Sequence, residues 1–272
     1  MKPQTRPLAI VIAALVAAAS GYRSNAVAEE SPPDVIEIMK KNFMAQKVKD
    51  STQKMTMTLI DARGIKRERK VESYSKLLEN QIDQARVARF LSPPDVIGTA
   101  TLTKENSGGD DDIWIYLPAL KKIRRLVASN KKDSFMGSDF SYGDVITPRV
   151  EDWKHTLLRI EKCGANDCYV VESVPVSKDV ERNAGSNKRV QWIRTDAFMS
   201  VKGEYTDLAG RPFKEFHAED IWEVDKTLHR WMPKKITMKN VQTGGITEIT
   251  FDDVKVNTGV KDEVFTERYL TR

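Results

Sequence analysis

KMTMTLIDARGIKRERKVESYSKL, running from Lys54 to Leu77, is the stretch that decides the fold. Met55, Met57 and Leu59 alternate with Lys54, Thr56 and Thr58, the period of two that marks a strand with one face out of water. Asp61-Ala62-Arg63-Gly64 is a turn signal, and the strand-like run Ile65–Leu77 follows at once. Beyond it lie further runs at Ile82–Phe90, Gly98–Thr103, Asp112–Leu117 and Lys122–Val127, then Trp153–Glu161, Cys168–Pro175, Lys188–Thr195, Ser200–Thr206, Pro212–Val224, Trp231–Asn240 and Ile246–Val256. Strands at such short spacing, with turn residues between them, point to an antiparallel meander and not to alternating βαβ units. The expectation is a mainly β chain of about eleven strands. A sheet of this size curls or closes, and its concave face has to be filled by something.

Upstream of the first strand, Ser31-Pro32-Pro33-Asp34 precedes Val35, Ile36, Ile38, Met39, Phe43 and Met44, a capped amphipathic helix whose apolar stripe should lie on a sheet. Downstream, Asp262 to Leu270 suits a short helix capped by Asp262 that docks Phe265, Tyr269 and Leu270. Residues 1–28 have the three parts of a secretory signal: Lys2 and Arg6, an apolar run from Leu8 to Ala19, and Ala26-Val27-Ala28. Its removal would leave residues 29–272 as a single exported domain. Loss of Lys2, Arg6 and Arg23 lowers the formal net charge from +5 to +2, so the basic balance belongs largely to the leader. Cys163 and Cys168, in CGANDC between two strand-like runs, are expected to form a disulfide at a hairpin tip in an oxidising compartment.

Three features bear on function. An irregular segment, about Ser129 to Asp152, interrupts the strands and carries FMGSDFSYGD, Phe135 to Asp144; long aromatic insertions of this kind are more often functional than plain connectors. Lys121, Lys122, Arg124, Arg125, Lys131 and Lys132 make six basic residues in twelve positions with no acid. Export argues against a nucleic-acid role for them and favours lipid headgroups or an acidic partner, contacted by Lys121, Lys122, Arg124 and Arg125. Methionine is an adaptable lining for ligands of varied shape. The residues expected to touch a lipid are Met55, Met57 and Leu59, then Trp114 and Tyr116, and in the insertion Phe135, Met136, Phe140 and Tyr142. On this reading Phe140 sits at an entrance, and Phe140→Asp would weaken lipid retention without unfolding the protein.

Catalytic signatures are missing. His155, His217 and His229 lack the spacing of a helix-borne metal site, Asp110-Asp111-Asp112 reads as a solvated turn, and neither a nucleophile elbow nor a phosphate-cradling loop occurs. No enzymatic activity, metal or cofactor is expected.

DDIWIYLPALKKIRRL (Asp111–Leu126) followed by FMGSDFSYGD resembles the hallmark of the LolA-like outer-membrane lipoprotein-sorting proteins. PPDVIGTATL (Pro93–Leu102), VQWIRTDAFMSVKGEYTD (Val190–Asp207) and VFTERYL (Val264–Leu270) extend the resemblance over most of the chain. It implies a half-open antiparallel β-barrel with covering helices around an apolar cavity, in a soluble periplasmic carrier of lipoprotein acyl chains or another lipid. The partners implied are that cargo, an inner-membrane RND/MMPL-type transporter and an outer-membrane acceptor. The alternative is a non-catalytic accessory subunit docked to such a transporter.

Overall fold

The computed structural model describes Met1 and residues 33–272; the leader expected over residues 1–28 lies outside the described residues. Asp34 caps helix α1 (Val35–Met44), its side chain accepting from the Ile36 amide at 2.9 Å. The alternation in the deciding stretch becomes β1 (Asp50–Ile60), which pairs in antiparallel register with β2 (Lys66–Leu77) from Asp50↔Lys76 to Ile60↔Lys66. The meander continues through β3 (Gln84–Ser92), β4 (Ala100–Lys104), β5 (Asp112–Leu117) and β6 (Lys122–Leu126). A second meander comprises β7 (Trp153–Cys163), β8 (Asn166–Pro175), β9 (Lys188–Arg194), β10 (Ser200–Thr206) and β11 (Pro212–Glu219). A two-stranded ribbon, β12 (Trp222–Asp225) with β13 (Arg230–Met232), precedes β14 (Lys235–Asn240) and β15 (Ile246–Val256).

Thirteen strands form one antiparallel sheet in the order β6-β5-β4-β3-β2-β1-β15-β14-β11-β10-β9-β8-β7. The last two strands thus join the two meanders, and the sheet stays open between β6 and β7. The fold is mainly β, a half-open sheet with few helices, as the sequence predicts, but the strand count exceeds eleven. Two of the apolar runs break: Asp220 adopts a left-handed φ of 52° between β11 and β12, and Pro233, which has no amide to donate, separates β13 from β14.

Because β6 and β7 are opposite edges of one sheet, the segment joining them has to cross it. Thirteen strands at a spacing of about 4.8 Å are too wide for a short connector, which explains why this insertion is long. It crosses on the concave side, where Phe135, Phe140, Tyr142 and Ile146 are buried against Met57, Phe90, Ile113 and Met238. Asp139 pins it to β15: its amide donates to Thr247 Oγ1 at 2.9 Å, and that hydroxyl donates to Asp139 Oδ2 at 2.8 Å. Gly245 permits the approach, since a Cβ there would stand 2.6 Å from Asp139 Oδ1.

The helices differ from expectation in detail. A helix α2 (Lys178–Ala184), absent from the predicted elements, is capped by Ser177 and closed by left-handed Gly185. The C-terminal segment is a 3-10 turn, Asp262–Phe265, and then helix α3 (Glu267–Leu270), capped by Thr266 and not by Asp262. Phe265 and Leu270 are buried as predicted, with Tyr269 packed beside them. Cys163 and Cys168 are bonded across the β7–β8 hairpin.

Candidate functional site

Helix α1 bridges the mouth of the curled sheet. Near its start, Ile38 and Met39 pack on Val171 of β8, Ile193 of β9 and Val150 of the insertion. Asn42 donates to the Phe198 carbonyl at 2.7 Å. Just past its end, the almost fully buried Lys47 reaches the other arm, donating to the Ile82 carbonyl at 2.7 Å and pairing with Glu105 at 2.5 Å. Burial pulls the Lys47 ammonium below its ordinary pKa, while Glu105 opposes that shift.

Between α1, the insertion and the concave sheet lies a cavity of about 310 Å³, at the lower end of small-molecule sites. Met55, Met57, Val71, Ala88, Ile249 and Phe251 supply apolar wall, and Phe135 and Phe140 of the insertion close it. Other parts of the wall are polar, among them Gln53, Ser73 and Arg86 on one arm, and His155, Arg189 and Tyr205 on the other. The hollow is therefore amphipathic, with polar groups beside the apolar wall that the family resemblance implies.

Of the residues expected to touch a lipid, Met55, Met57, Phe135 and Phe140 line this cavity. Leu59, Met136 and Tyr142 belong to the same core cluster without lining it. Trp114 and Tyr116 are to be corrected: alternation on β5 sends Ile113 into that cluster and turns Trp114 and Tyr116 to the opposite face. There the C-terminal Val264, Phe265 and Leu270 cover them. Lys121, Lys122 and Arg124 stand exposed on or beside the edge strand β6. Arg125 is bonded to Asp112, and Asp111 holds Lys131 at 2.7 Å. Charge along an unpaired edge also discourages strand addition by another chain.

Sequence reasoning missed the buried polar side of the cavity, whose partners are distant in the chain. Lys214 of β11 pairs with Asp144 of the insertion at 2.8 Å. Burial works to raise the Asp144 carboxyl, but Lys214 and Arg189 outweigh it and hold the group below the usual range. Burial pushes the Tyr205 phenol up to about 12.

His155 is buried, its Nδ1 at 2.7 Å from Ser173 Oγ and its Nε2 at 3.0 Å from the Val150 carbonyl. Burial lowers its pKa below 6.5, more than the Val150 carbonyl and Glu151 restore. The unfolded chain thus binds more protons than the native one in the window just under 6.5. Stability is expected to fall as pH drops from about 6.5 through the lower native value. Denaturation midpoints measured between about pH 6.5 and 5 check this; His155→Gln should flatten that part of the profile, and an unchanged slope would assign it to the carboxylates. Among the described residues, no three His, Cys, Asp or Glu side chains gather to hold a metal ion. None of the described helices is long and apolar enough to cross a membrane.

Comparison with known proteins adds to this geometry. A family model described as an uncharacterized protein matches residues 83–272. Among solved structures, the chain is 30% identical, over 87% of its length and 98% of the other, to a domain from Vibrio parahaemolyticus described as an outer membrane lipoprotein-sorting protein domain, with a TM-score of 0.79. A DUF1329 family protein from Desulfovibrio piger is 26% identical over 86% of this chain and 97% of its own, again with a TM-score of 0.79. A LolA superfamily protein from Nitrosomonas europaea shares the fold at 21% identity, covering 88% and 100% of the two chains, with a TM-score of 0.66. No curated protein sequence matches significantly.

Proposed function

The chain belongs to the LolA-like outer-membrane lipoprotein-sorting family, and from that premise we propose that it is a periplasmic carrier that holds the acyl chains of a lipoprotein, or another lipid, and moves them toward the outer membrane. The observation that carries this reading is the cavity itself: about 310 Å³ remains open beneath α1 although the insertion crosses the same concave face. The relative from Vibrio parahaemolyticus, with its lipoprotein-sorting description, supports the class of cargo.

Energetics suit non-covalent carriage. Burial of acyl chain is worth about 0.8 kcal/mol per methylene, so part of one chain suffices for micromolar retention without a covalent bond. Release has to be as accessible as capture, and α1, held at each end by a few contacts, is the element whose displacement would open the mouth. Delivery to an outer-membrane acceptor and supply by an RND/MMPL-type transporter are part of the same proposal, with the exposed Lys121, Lys122 and Arg124 as the contact to headgroups or partner.

Purification from envelope extract followed by lipid mass spectrometry tests it. Lipid should co-purify at about one molecule per chain, and the stripped protein should take lipid back from vesicles. Protein that emerges empty and extracts nothing from vesicles would overturn carriage and leave docking to a transporter as the surviving role.

A further inference from the structure

We infer that the cavity recognises an anionic headgroup through Arg189, so that the cargo is an amphiphile bearing a carboxylate or phosphate and not a neutral lipid; this deepens the carrier reading and rests on it. Arg189 stands on β9, lines the cavity and is 9% exposed. Its guanidinium lies 4.3 Å from the ring centre of Trp153 and 5.4 Å from that of Tyr205. Its Nε is buried with no hydrogen-bond partner. Among the described residues no carboxylate lies within ion-pair distance of it.

Asp144 is near enough for its carboxyl to feel the Arg189 charge, yet it is already engaged. Its Oδ2 accepts from Lys214 Nζ at 2.8 Å and from the Ser141 amide at 2.8 Å. Two cations thus face one anion, and the surplus positive charge sits on a guanidinium, a group with donors and no acceptor. Other cations of the cavity wall are provided for: buried Lys47 has Glu105, and half-buried Arg86 donates to the Val145 carbonyl at 3.0 Å and to Gln84 at 2.9 Å. A buried guanidinium short of acceptors is costly, and an anionic headgroup entering the cavity would supply acceptors to its terminal nitrogens. The guanidinium edge is the part that forms paired bonds with carboxylate or phosphate, and stacking on aromatic faces does not use it up. Since Met55, Met57 and Phe251 line the same hollow, one amphiphile can satisfy both kinds of wall.

The test uses the stripped full-length protein carrying a neutral, environment-sensitive apolar dye. Dodecanoic acid, dodecyl phosphate and dodecanol are titrated separately at pH 8, and inorganic phosphate is a fourth arm. The acid and the phosphate ester should displace dye at concentrations about tenfold or more below dodecanol. Inorganic phosphate should displace none, and Arg189→Met should erase the preference by weakening only the two anions. Dodecanol equal to dodecanoate on the unaltered protein would overturn the headgroup inference while leaving carriage intact. Displacement by inorganic phosphate as efficient as by its ester would make this a free-anion site and overturn it too. If none of the three chains displaces dye, carriage itself falls and the inference with it. Should Arg189→Met not fold, the ligand comparison on the unaltered protein decides.

Discussion

Glu105→Gln is expected to lower the free energy of unfolding by about 3–5 kcal/mol, the range for removing one member of a buried ion pair. Lys47 has 2% of its side chain exposed and Glu105 has 9%, so neither is rescued by solvent. Glu105 also accepts from the Gln84 amide at 3.0 Å, which ties the end of α1 to β3 and β4 through a single carboxylate. With it gone, the Lys47 ammonium keeps the Ile82 carbonyl and the face of Phe43, 3.5 Å from the ring centre, but no bonded counter-charge, only the longer-range pull of Asp83.

The sign of the pH response separates this mechanism from simple loss of packing. Burial already holds native Lys47 below 10.5, and removing Glu105 takes away most of what opposes it, leaving Asp83. Between the depressed native value and 10.5 the unfolded variant binds more protons, so its stability rises with pH across that window. Urea denaturation at neutral and alkaline pH measures both effects, with the slope m unchanged if the unfolded state is unaltered. A second variant joining Lys47→Met to Glu105→Leu should recover much of the loss, because apolar pairs replace buried ion pairs at little cost. A deficit under about 1 kcal/mol in Glu105→Gln would mean that the pair is solvated and of the weak surface kind.

What could be read in the sequence was whatever is carried by neighbours in the chain. Alternation and turn residues mark the strand-like runs of the large sheet, because the hydrophobic face repeats every second residue, although the expected count of about eleven falls short of its thirteen strands. That period says which side chains share a face but not which face is inner, hence Trp114 and Tyr116 were expected in the cavity. Only the distant VFTERYL segment, folded over the outer face of β5, decides it. Helix α2 had a Ser177 start and a Gly185 stop, but Lys178 to Ala184 offers Val180 and Ala184 as its apolar positions, too few for a helical stripe. The polar wall was illegible for a different reason. Arg189, Asp144 and Lys214 lie on β9, the insertion and β11, and nothing in the spacing of a β meander announces which charges will be buried together. The basic run around Lys121 is legible because it is contiguous, while the buried guanidinium is a single residue in an ordinary strand.

Phe140→Ala is expected to cost about 3–5 kcal/mol of stability and to lengthen the chain that the cavity prefers. Phe140 is 3% exposed and sits in the main core cluster with Phe90, Phe135 and Ile113, so it is part of the cavity floor and not of an entrance. For the same reason Phe140→Asp, expected from the sequence to leave the fold intact, should instead unfold the protein, since an unpaired carboxylate would be buried among apolar side chains. The alanine variant removes a ring and no more. The void it leaves adjoins the existing hollow, because Phe140 lines both the core and the cavity, and an apolar void of this kind stays dry and accepts apolar guests. Each further methylene that enters should gain about 0.8 kcal/mol. Titration with saturated fatty acids of increasing length should therefore show the optimum moving up by two or more carbons relative to the unaltered protein. Ligand at about 100 times its dissociation constant should return about 2.7 kcal/mol of the lost stability, visible as a larger thermal shift for long chains than for short ones. An unchanged optimum alongside the full stability loss would show that the acyl chain lies elsewhere, and would separate the aromatic plug from the binding surface.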